Sequence, residues 1–399
     1  MKNVDDYLAE LLAHQPLLAP VSLPLSEALG AVTAGPVRAK HSIPLFDNSS
    51  MDGYAVYASD IAGASSSQPV ALPVVGDIPA GATTQLHVPP GSAARIMTGA
   101  PMPAGADAIV PVEQTDGGTE TVHIVGQGGD FIRRAGVDVA TGEEVIEEGV
   151  RLTARHIASA ASAGHGEVLV RPRPRVAVIA TGSELRDPGE PVEFGQIPNS
   201  NSALIAASLA GEAEAMDLGT VPDDPDALKQ VLAGIEADAV ILTGGVSVGA
   251  YDVVKELLAA EPGMWFGPVA MQPGKPQGFG SYRGMSVFTL PGNPVSVYVS
   301  LHVLVRPALA RMSGGTAVTP RFIPARAAAG WRCPPGRVQF IPVRVSGTEG
   351  GVLEVEPASA GGSGSHLIGT LARAEGLVRV PAEVDEVRRG DAVWFWEER

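Results

Sequence analysis

Residues 239–252 read A-V-I-L-T-G-G-V-S-V-G-A-Y-D, and they decide the fold of the central part of the chain. Ala239 to Leu242 form an apolar run as long as a buried strand, and Val253 to Leu258 predict the helix that follows. A glycine-rich turn between a strand and a helix can hold an anion, because its backbone approaches the ligand closely and the first N–H groups of the helix are free to donate. The stretch therefore predicts a strand, a ligand-binding loop and a helix.

A second stretch of the same kind lies upstream. Residues 176–180 are apolar, and they end in the turn T-G-S-E-L (181–185). From residue 176 to residue 312, apolar runs alternate with helical patterns, which is typical of a doubly wound α/β domain with a parallel core sheet. Because the carboxyl ends of parallel strands lie at one edge of a sheet, we expect the two Thr-Gly turns to border one crevice.

The segments on either side of this region have a different pattern. Residues 3–13 have the apolar spacing of an amphipathic helix, and residues 26–30 predict a short helix that ends at glycine. Short β runs between Gly and Pro breaks fill residues 54–150 and predict a small barrel or sandwich, and the β runs after residue 320 predict a small barrel. The predicted fold class is therefore multidomain, α/β plus β.

Composition and charge limit the classes of protein to which the chain can belong. Lys and Arg number 28 against 44 Asp and Glu, which gives a net charge of −16 and argues against general nucleic-acid binding, since that needs a basic face. The single cysteine, Cys333, excludes an internal disulfide framework and a thiolate metal cluster. No apolar run approaches the roughly 20 residues that cross a bilayer, and the acidic N-terminus does not resemble a secretory signal. We expect a cytoplasmic protein with neither a nucleic-acid nor a membrane partner.

Six motifs agree with one known family and occur in its order along the chain. They are F-D-N-S-S-M-D-G-Y-A-V (46–56), I-M-T-G-A-P-M-P (96–103), T-G-S-E-L (181–185), T-G-G-V-S-V-G-A-Y-D (243–252), P-G-K-P (273–276) and L-P-G-N-P-V-S (290–296). By these motifs the chain resembles the molybdenum-insertion proteins, MoeA and the equivalent domain of gephyrin, over nearly its whole length.

The resemblance implies a subunit of four parts. A helical linker and dimerisation part (1–45 and 140–172) contains an inserted β domain (46–139), and the doubly wound α/β molybdopterin-binding domain (173–314) precedes a C-terminal β-barrel (315–399). It also implies a homodimer whose active site lies between the α/β domain of one subunit and the inserted domain of the other.

The implied activity belongs to molybdenum cofactor biosynthesis. Molybdate and adenylylated molybdopterin are the implied substrates, AMP leaves, molybdenum ends on the dithiolene sulfurs, and Mg²⁺ assists. The molybdopterin adenylyltransferase that makes the intermediate is a candidate partner.

Several acids are candidates for metal binding or catalysis. Glu184 and Asp252 each follow a strand of the same predicted sheet, and two carboxylates at one crevice favour a cation site because they need a counter-charge. Asp224 is a further candidate metal ligand, although Asp223 beside it leaves the choice open, and either residue could cap the next helix. The resemblance to M-D-G-Y makes Asp52 a catalytic or molybdate-site acid, and Thr98 and Asp138 are carried over in the same way.

Lys275 is the predicted anion-binding side chain. A chain with a net charge of −16 can bind an anion only with local cations, oriented N–H groups or a metal. Lys275 lies in a rigid turn between Gly274 and Pro276, and a point charge in such a turn suits an anion. The sequence departs here from one form of the family motif, K-P-G-K-P, because Gln272 stands where a first lysine can occur. Arg133 and Arg134 are candidates to replace it.

The remaining candidates bind the pterin and its phosphate or shape the wall of their site. They are Thr181, Gly182, Ser183, Asn201, Gly244, Gly245, Ser247, Gly249, Pro291, Gly292 and Pro294. The eight histidines show no metal-ligand spacing such as H-E-x-x-H, which argues against a zinc hydrolase.

Two other functions and one other substrate stay open at this point. The α/β region by itself also fits the adenylyltransferase, although the motifs at 46–56 and 96–103 favour metal insertion. A gephyrin-like scaffold is the second alternative, and no receptor-binding signature supports it. Tungstate resembles molybdate in charge and shape, so the sequence does not choose between them.

Overall fold

The structure is a computed structural model, and it describes residues 1–245, 253–315, 320–360 and 362–398. Its central sheet is flanked by β structure on both sides along the chain, and it has few helices. The predicted fold class is confirmed. No helix among the described residues is long and apolar enough to span a membrane.

The chain begins with the predicted amphipathic helix. Asn3 caps it by accepting a hydrogen bond from the Asp5 N–H, and the buried face is Val4, Tyr7 and Leu11. The helix predicted at 26–30 is wrong. The segment forms hydrogen-bonded turns, since one short apolar pattern cannot offset the cost of helix nucleation. The first elements are α1 (Val4–His14), β1 (Val21–Pro24), β2 (Val32–Thr33) and β3 (Val37–Arg38).

Residues 48–133 form a separate five-stranded sheet with the order β8-β5-β7-β6-β9. Side chains alternate between its faces: Tyr54 and Val56 pack in one apolar cluster, and Ala55 packs in another. The five strands are β5 (Gly53–Val56), β6 (Val70–Ile78), β7 (Ala93–Ile96), β8 (Ala108–Pro111) and β9 (Thr121–Ile124), and β4 (Asn48–Ser49) and β10 (Ile132–Arg133) form a separate pair.

The chain then returns to the first segment. It continues with β11 (Glu144–Ile146), α2 (Ala154–Ser162) and β12 (Glu167–Arg171). Strand β11 pairs with β3, and β12 pairs with β1 and β2, so the segments before and after the five-stranded sheet are neighbours in space. Strands β4 and β10 pair with each other where the chain enters and leaves the sheet. The β part is therefore an insertion.

The central sheet has the order β16-β13-β17-β21-β20-β18. Strands β16, β13, β17 and β21 are parallel, and the other two are antiparallel at one edge. Every residue of β17 is buried because helices cover both faces, which explains its continuous apolar sequence. The elements are β13 (Arg175–Thr181), β14 (Leu185–Arg186), β15 (Ile197–Pro198), α3 (Ser200–Ser208), β16 (Glu214–Val221), α4 (Pro225–Ala233), β17 (Ala239–Thr243), α5 (Val253–Leu258), β18 (Trp265–Pro268), β19 (Met271–Gln272), β20 (Pro276–Tyr282), β21 (Met285–Leu290), α6 (Pro294–Ser300) and α7 (Arg306–Met312).

The last part contains the predicted barrel. Its strands pair in the cycle β24-β25-β22-β28-β26-β24, which closes a five-stranded barrel without an open edge. Strand β24 also pairs with β19, so the barrel is joined to the central domain beside Gln272. The elements are β22 (Ile323–Ala327), β23 (Trp331–Arg332), β24 (Val338–Glu349), β25 (Val352–Pro357), α8 (Ile368–Leu371), β26 (Gly376–Val380), β27 (Glu386–Val387) and β28 (Ala392–Glu397).

A polar network connects the central domain to the end of the barrel. Arg306 donates to Glu212 (Nε to Oε2, 2.9 Å) and to the Nδ1 atom of His302 (2.7 Å). The opposite nitrogen of His302, Nε2, lies 3.3 Å from Glu398 Oε1, and the Tyr298 hydroxyl donates to Glu398 Oε2 at 2.7 Å. Burial lowers the pKa of His302, so the ring is neutral in the folded protein at neutral pH.

Candidate functional site

A cavity of about 860 Å³ lies at the carboxyl ends of β13, β17 and β21. The central domain forms most of its wall, and the barrel closes one side. Its size is that of a site for an organic ligand rather than for a lone oxyanion. Of the predicted residues, those that line it are Thr181, Gly182, Glu184, Asn201, Gly244, Gly245, Lys275, Pro291, Gly292 and Pro294.

The two Thr-Gly turns border this cavity together. A Cβ atom on Gly244 would lie 2.4 Å from the carbonyl oxygen of Thr181, and Gly244 has a φ of +90°. Only glycine fits at this position, both because the turns touch and because the backbone is left-handed. Asn201 is fixed from the other side, since its amide donates to the carbonyl of Gly292 at 2.8 Å.

Three predicted residues of this region lie outside the described ranges. They are Ser247, Gly249 and Asp252. Ser183 does not line the cavity, but its N–H donates to Oδ2 of Asp223, which does, at 3.0 Å.

The geometry separates the two neighbouring aspartates. Asp223 lines the cavity, whereas Asp224 is the N-cap of α4 and accepts from the Asp226 N–H at 3.0 Å. Asp223 and Glu184 are therefore two carboxylates on one cavity wall. Within the described ranges, no group of three or more His, Cys, Asp or Glu side chains is placed to hold a metal ion. Two carboxylates do fit Mg²⁺, which is usually bound by one or two acids together with water and substrate phosphates.

Two cationic side chains line the cavity. Lys275 is exposed in the turn after β19, and Arg337 reaches the cavity from the turn before β24. Neither has an ion-pair partner among the residues that the structure describes. Gln272 lies at the same wall, and its amide is 3.4 Å from Ser363 Oγ.

Arg337 was not predicted as a site residue from the sequence. Arg133 and Arg134, which the sequence did suggest as anion-binding residues, are absent from the cavity lining, and Arg134 pairs with Asp47 at 3.0 Å. Arg337 reaches the site because β24 pairs with β19 across a long sequence separation. Its one sequence signal, a P-P-G-R turn at 334–337, does not reveal that pairing.

Asp52 and Thr98 form a second, exposed arrangement on the inserted sheet. The Thr98 N–H and its Oγ1 both donate to Asp52 Oδ1, at 2.6 and 2.7 Å. These two bonds hold the pKa of Asp52 below its ordinary value, and the bond from the backbone N–H has the larger effect. The group is therefore a carboxylate at neutral pH. Asp138 is also exposed on this part of the chain. None of the three lines the cavity.

Comparison with known proteins decides the family. Molybdopterin molybdenumtransferase 2 of Mycobacterium tuberculosis is 43% identical over 411 residues, which cover 100% of both chains. The chain belongs to the MoeA family. Three family models match it in order: "MoeA N-terminal region (domain I and II)" over residues 2–164, "Probable molybdopterin binding domain" over 177–311 and "MoeA C-terminal region (domain IV)" over 324–397.

Two further relatives agree with this assignment. The molybdopterin molybdenumtransferase of Haemophilus influenzae is 34% identical over 401 residues, which cover 98% of each chain. The solved molybdopterin biosynthesis MoeA protein of Pyrococcus horikoshii OT3 superposes with a TM-score of 0.81 at 28% identity, and the match covers 100% of both chains. The MoeA fold therefore extends over the whole chain.

Proposed function

We propose that this MoeA-family protein is a molybdopterin molybdenumtransferase. It transfers molybdenum from molybdate to adenylylated molybdopterin and releases AMP. The names of the full-length relatives support this activity, and the observation that carries it is the cavity. There, two glycine turns, two acids and two cations meet at the carboxyl edge of a parallel sheet.

Lys275 and Arg337 hold the oxyanion in this proposal. Both are cations without an ion-pair partner among the described residues, and they line the same cavity in a chain of net charge −16. Arg337 supplies the second charge that Gln272 does not. Its planar guanidinium can bind two oxygens of molybdate or of the terminal phosphate, which a single lysine cannot do.

Glu184 and Asp223 are the proposed Mg²⁺ ligands on the described part of the wall. Bound there, Mg²⁺ would offset the charge of the phosphates during adenylate cleavage. Asp223 lines the cavity and accepts a hydrogen bond from the Ser183 N–H, while Asp224 is occupied at the helix cap. Asp252, which lies outside the described residues, stays a proposed ligand on the ground of the sequence alone.

The chemical step is cleavage of the phosphoanhydride bond to the adenylate. An oxygen of water or molybdate attacks phosphorus, the bond to the leaving phosphate oxygen breaks, and AMP departs. The residues of the chain position and neutralise rather than react, as is general for phosphoryl transfer. The N–H groups of the glycine turns and Lys275 hold the anion in line. The two dithiolene sulfurs then replace two oxygens of molybdate: two Mo–S bonds form, two Mo–O bonds break, and the oxygens leave as water with protons from the dithiol and the solvent, without a change of oxidation state.

Asp52, Thr98 and Asp138 act across a homodimer in this proposal. Asp52 and Thr98 lie beside strands of the inserted sheet, and Asp138 follows β10, where its N–H donates to the Ile43 carbonyl. None of them is on the cavity wall, so a second subunit would bring them to the ligand. Complementation tests the idea. A mixture of Asp52→Ala and Lys275→Ala proteins, refolded together, should recover part of the activity, because one of the two mixed sites is intact. A mixture as inactive as its components contradicts a shared site.

AMP release tests the activity itself. The purified protein is incubated with adenylylated molybdopterin, Mg²⁺ and molybdate, and AMP is quantified. Release that depends on molybdate supports the proposal, and no release removes it. A parallel sample with molybdopterin and ATP detects the adenylyltransferase alternative, which would form the adenylylated intermediate instead.

A further inference from the structure

Phe194 lies at the tip of an exposed loop beside the cavity. Its exposure is 107% of the reference value, so it contacts almost nothing in the part of the chain that the structure describes. Residues 187–195 are all exposed. A large aromatic side chain without apolar neighbours is unfavourable in water, and this loop places one at the edge of the ligand site.

The loop is anchored at both ends to the cavity wall. It connects β14 with β15, and Leu185 and Ile197 of these strands line the cavity. The Ile197 N–H donates to the Glu184 carbonyl at 2.9 Å. Phe194 is three residues from Ile197, which corresponds to at most about 11 Å of extended chain. The aromatic ring is therefore within a short distance of the opening.

A tight turn presents Phe194 in a defined way. The Gln196 N–H donates to the Glu193 carbonyl at 3.0 Å, and the Gln196 side chain accepts from the Glu193 N–H at 2.9 Å. Gly195 has a φ of +85°, which suits the third position of such a turn. Because the backbone is held by the turn, little conformational freedom is lost when a ligand covers the ring.

Among its described residues, the cavity lacks an aromatic face for a planar ligand. Among the described residues that line it there is no Phe, Tyr or Trp, and the one aromatic ring is the imidazole of His366 on the barrel side. Its cations, Lys275 and Arg337, can hold the anionic end of a ligand. The loop carries the acids Asp187, Glu190 and Glu193, which disfavour phosphate and suit an uncharged ring with amino groups.

We propose that Phe194 stacks on a planar heteroaromatic ring of the bound substrate and so orients it at the cavity edge. This inference rests on the proposed function, whose substrate contains two such rings, adenine and pterin. Stacking on an aromatic side chain depends on the π-face of the ring and not on its phosphate. Phe194 is therefore a positioning residue, and its loss should affect ring-containing ligands alone.

Binding measurements on three ligands test the proposal. AMP, 6-carboxypterin and ribose 5-phosphate are titrated by calorimetry into wild type, Phe194→Leu and Phe194→Tyr, with Val192→Ala as a matched control on the same loop. We expect Phe194→Leu to weaken AMP or 6-carboxypterin by roughly tenfold or more, as for other base-stacking side chains, and to leave ribose 5-phosphate unchanged. The affected ligand identifies the ring. Phe194→Tyr and Val192→Ala should bind like wild type.

The outcomes separate this inference from the proposed function. If wild type binds neither AMP nor 6-carboxypterin, both are overturned. If wild type binds them and Phe194→Leu does so within twofold, only the stacking role is overturned. Sedimentation of the same variant tests whether Phe194 contacts a second copy of the chain instead. If the mass of the sedimenting assembly changes while the ligand affinity does not, Phe194 is such a contact, and the proposal is also overturned.

Discussion

Replacing Arg337 with methionine should raise the concentration of molybdate that the reaction needs. Methionine keeps much of the length and apolar surface of the side chain and removes its charge. Among the described residues that line the cavity, Lys275 is then the one cationic side chain left to hold the oxyanion. Arg332 is the matched control, because it lies on the same barrel segment but does not line the cavity that holds Lys275 and Arg337.

The size of the effect follows from the openness of the site. Arg337 is half-buried and Lys275 is exposed, so their attraction to an anion is partly screened by water. Hydrogen bonds to charged groups contribute about 1.5–3 kcal/mol each in proteins. A loss in this range raises the KM for molybdate by roughly 10- to 150-fold, since about 1.4 kcal/mol corresponds to a factor of ten.

AMP release measured against molybdate concentration provides the assay. Arg337→Met should need more molybdate, Arg332→Met should match wild type, and Gln272→Lys should restore part of the loss in the Arg337→Met background by returning a cation to the same wall. An unchanged molybdate dependence in Arg337→Met, or an equal loss in Arg332→Met, would refute the assignment of Arg337.

Three further predictions concern other parts of the structure. Thr98→Val removes one of two donors to Asp52, so the pKa of Asp52 should rise and the acid limb of the pH–rate profile should move to higher pH; an unmoved limb argues against an essential Asp52 carboxylate. Gly244→Ala should lower the thermal midpoint and abolish AMP release, because its Cβ would lie 2.4 Å from a carbonyl oxygen. The control is Gly211→Ala, whose φ is +78° but whose Cβ would meet open space, so it should cost only the backbone strain of about 1–3 kcal/mol in stability. Equal effects of the two substitutions would exclude the clash. Burial lowers the pKa of His302, so the unfolded chain binds the proton more readily and stability is lost as the pH falls below about 6.5. His302→Gln should therefore flatten the fall of the thermal midpoint between pH 7.5 and 5.5. A profile as steep as that of wild type would contradict this.

Most of the fold could be predicted because its signals are local. Strand β17 is apolar throughout since both of its faces are buried, and α1 shows the spacing of one buried face. The short helix at 26–30 was wrong, because five residues carry too little pattern to distinguish a turn from a helix.

The cavity wall was only partly predictable. Thr181 and Gly244 follow strands of one sheet, so the sheet topology brings them together. Arg337 was missed because its place depends on the pairing of β19 with β24, which no local pattern encodes. The choice between Asp223 and Asp224 likewise depends on which side chain caps α4, and the sequence allows either.

Molybdenum transfer measured together with AMP release tests whether the protein inserts molybdenum into the pterin. Adenylylated molybdopterin, Mg²⁺ and molybdate are incubated with the protein, and the molybdenum that co-elutes with the pterin is quantified beside the AMP. We expect one molybdenum atom to be transferred per AMP released, and both to be lost when Lys275 and Arg337 are replaced together. AMP release without transfer of molybdenum, or undiminished transfer in the double variant, would contradict it.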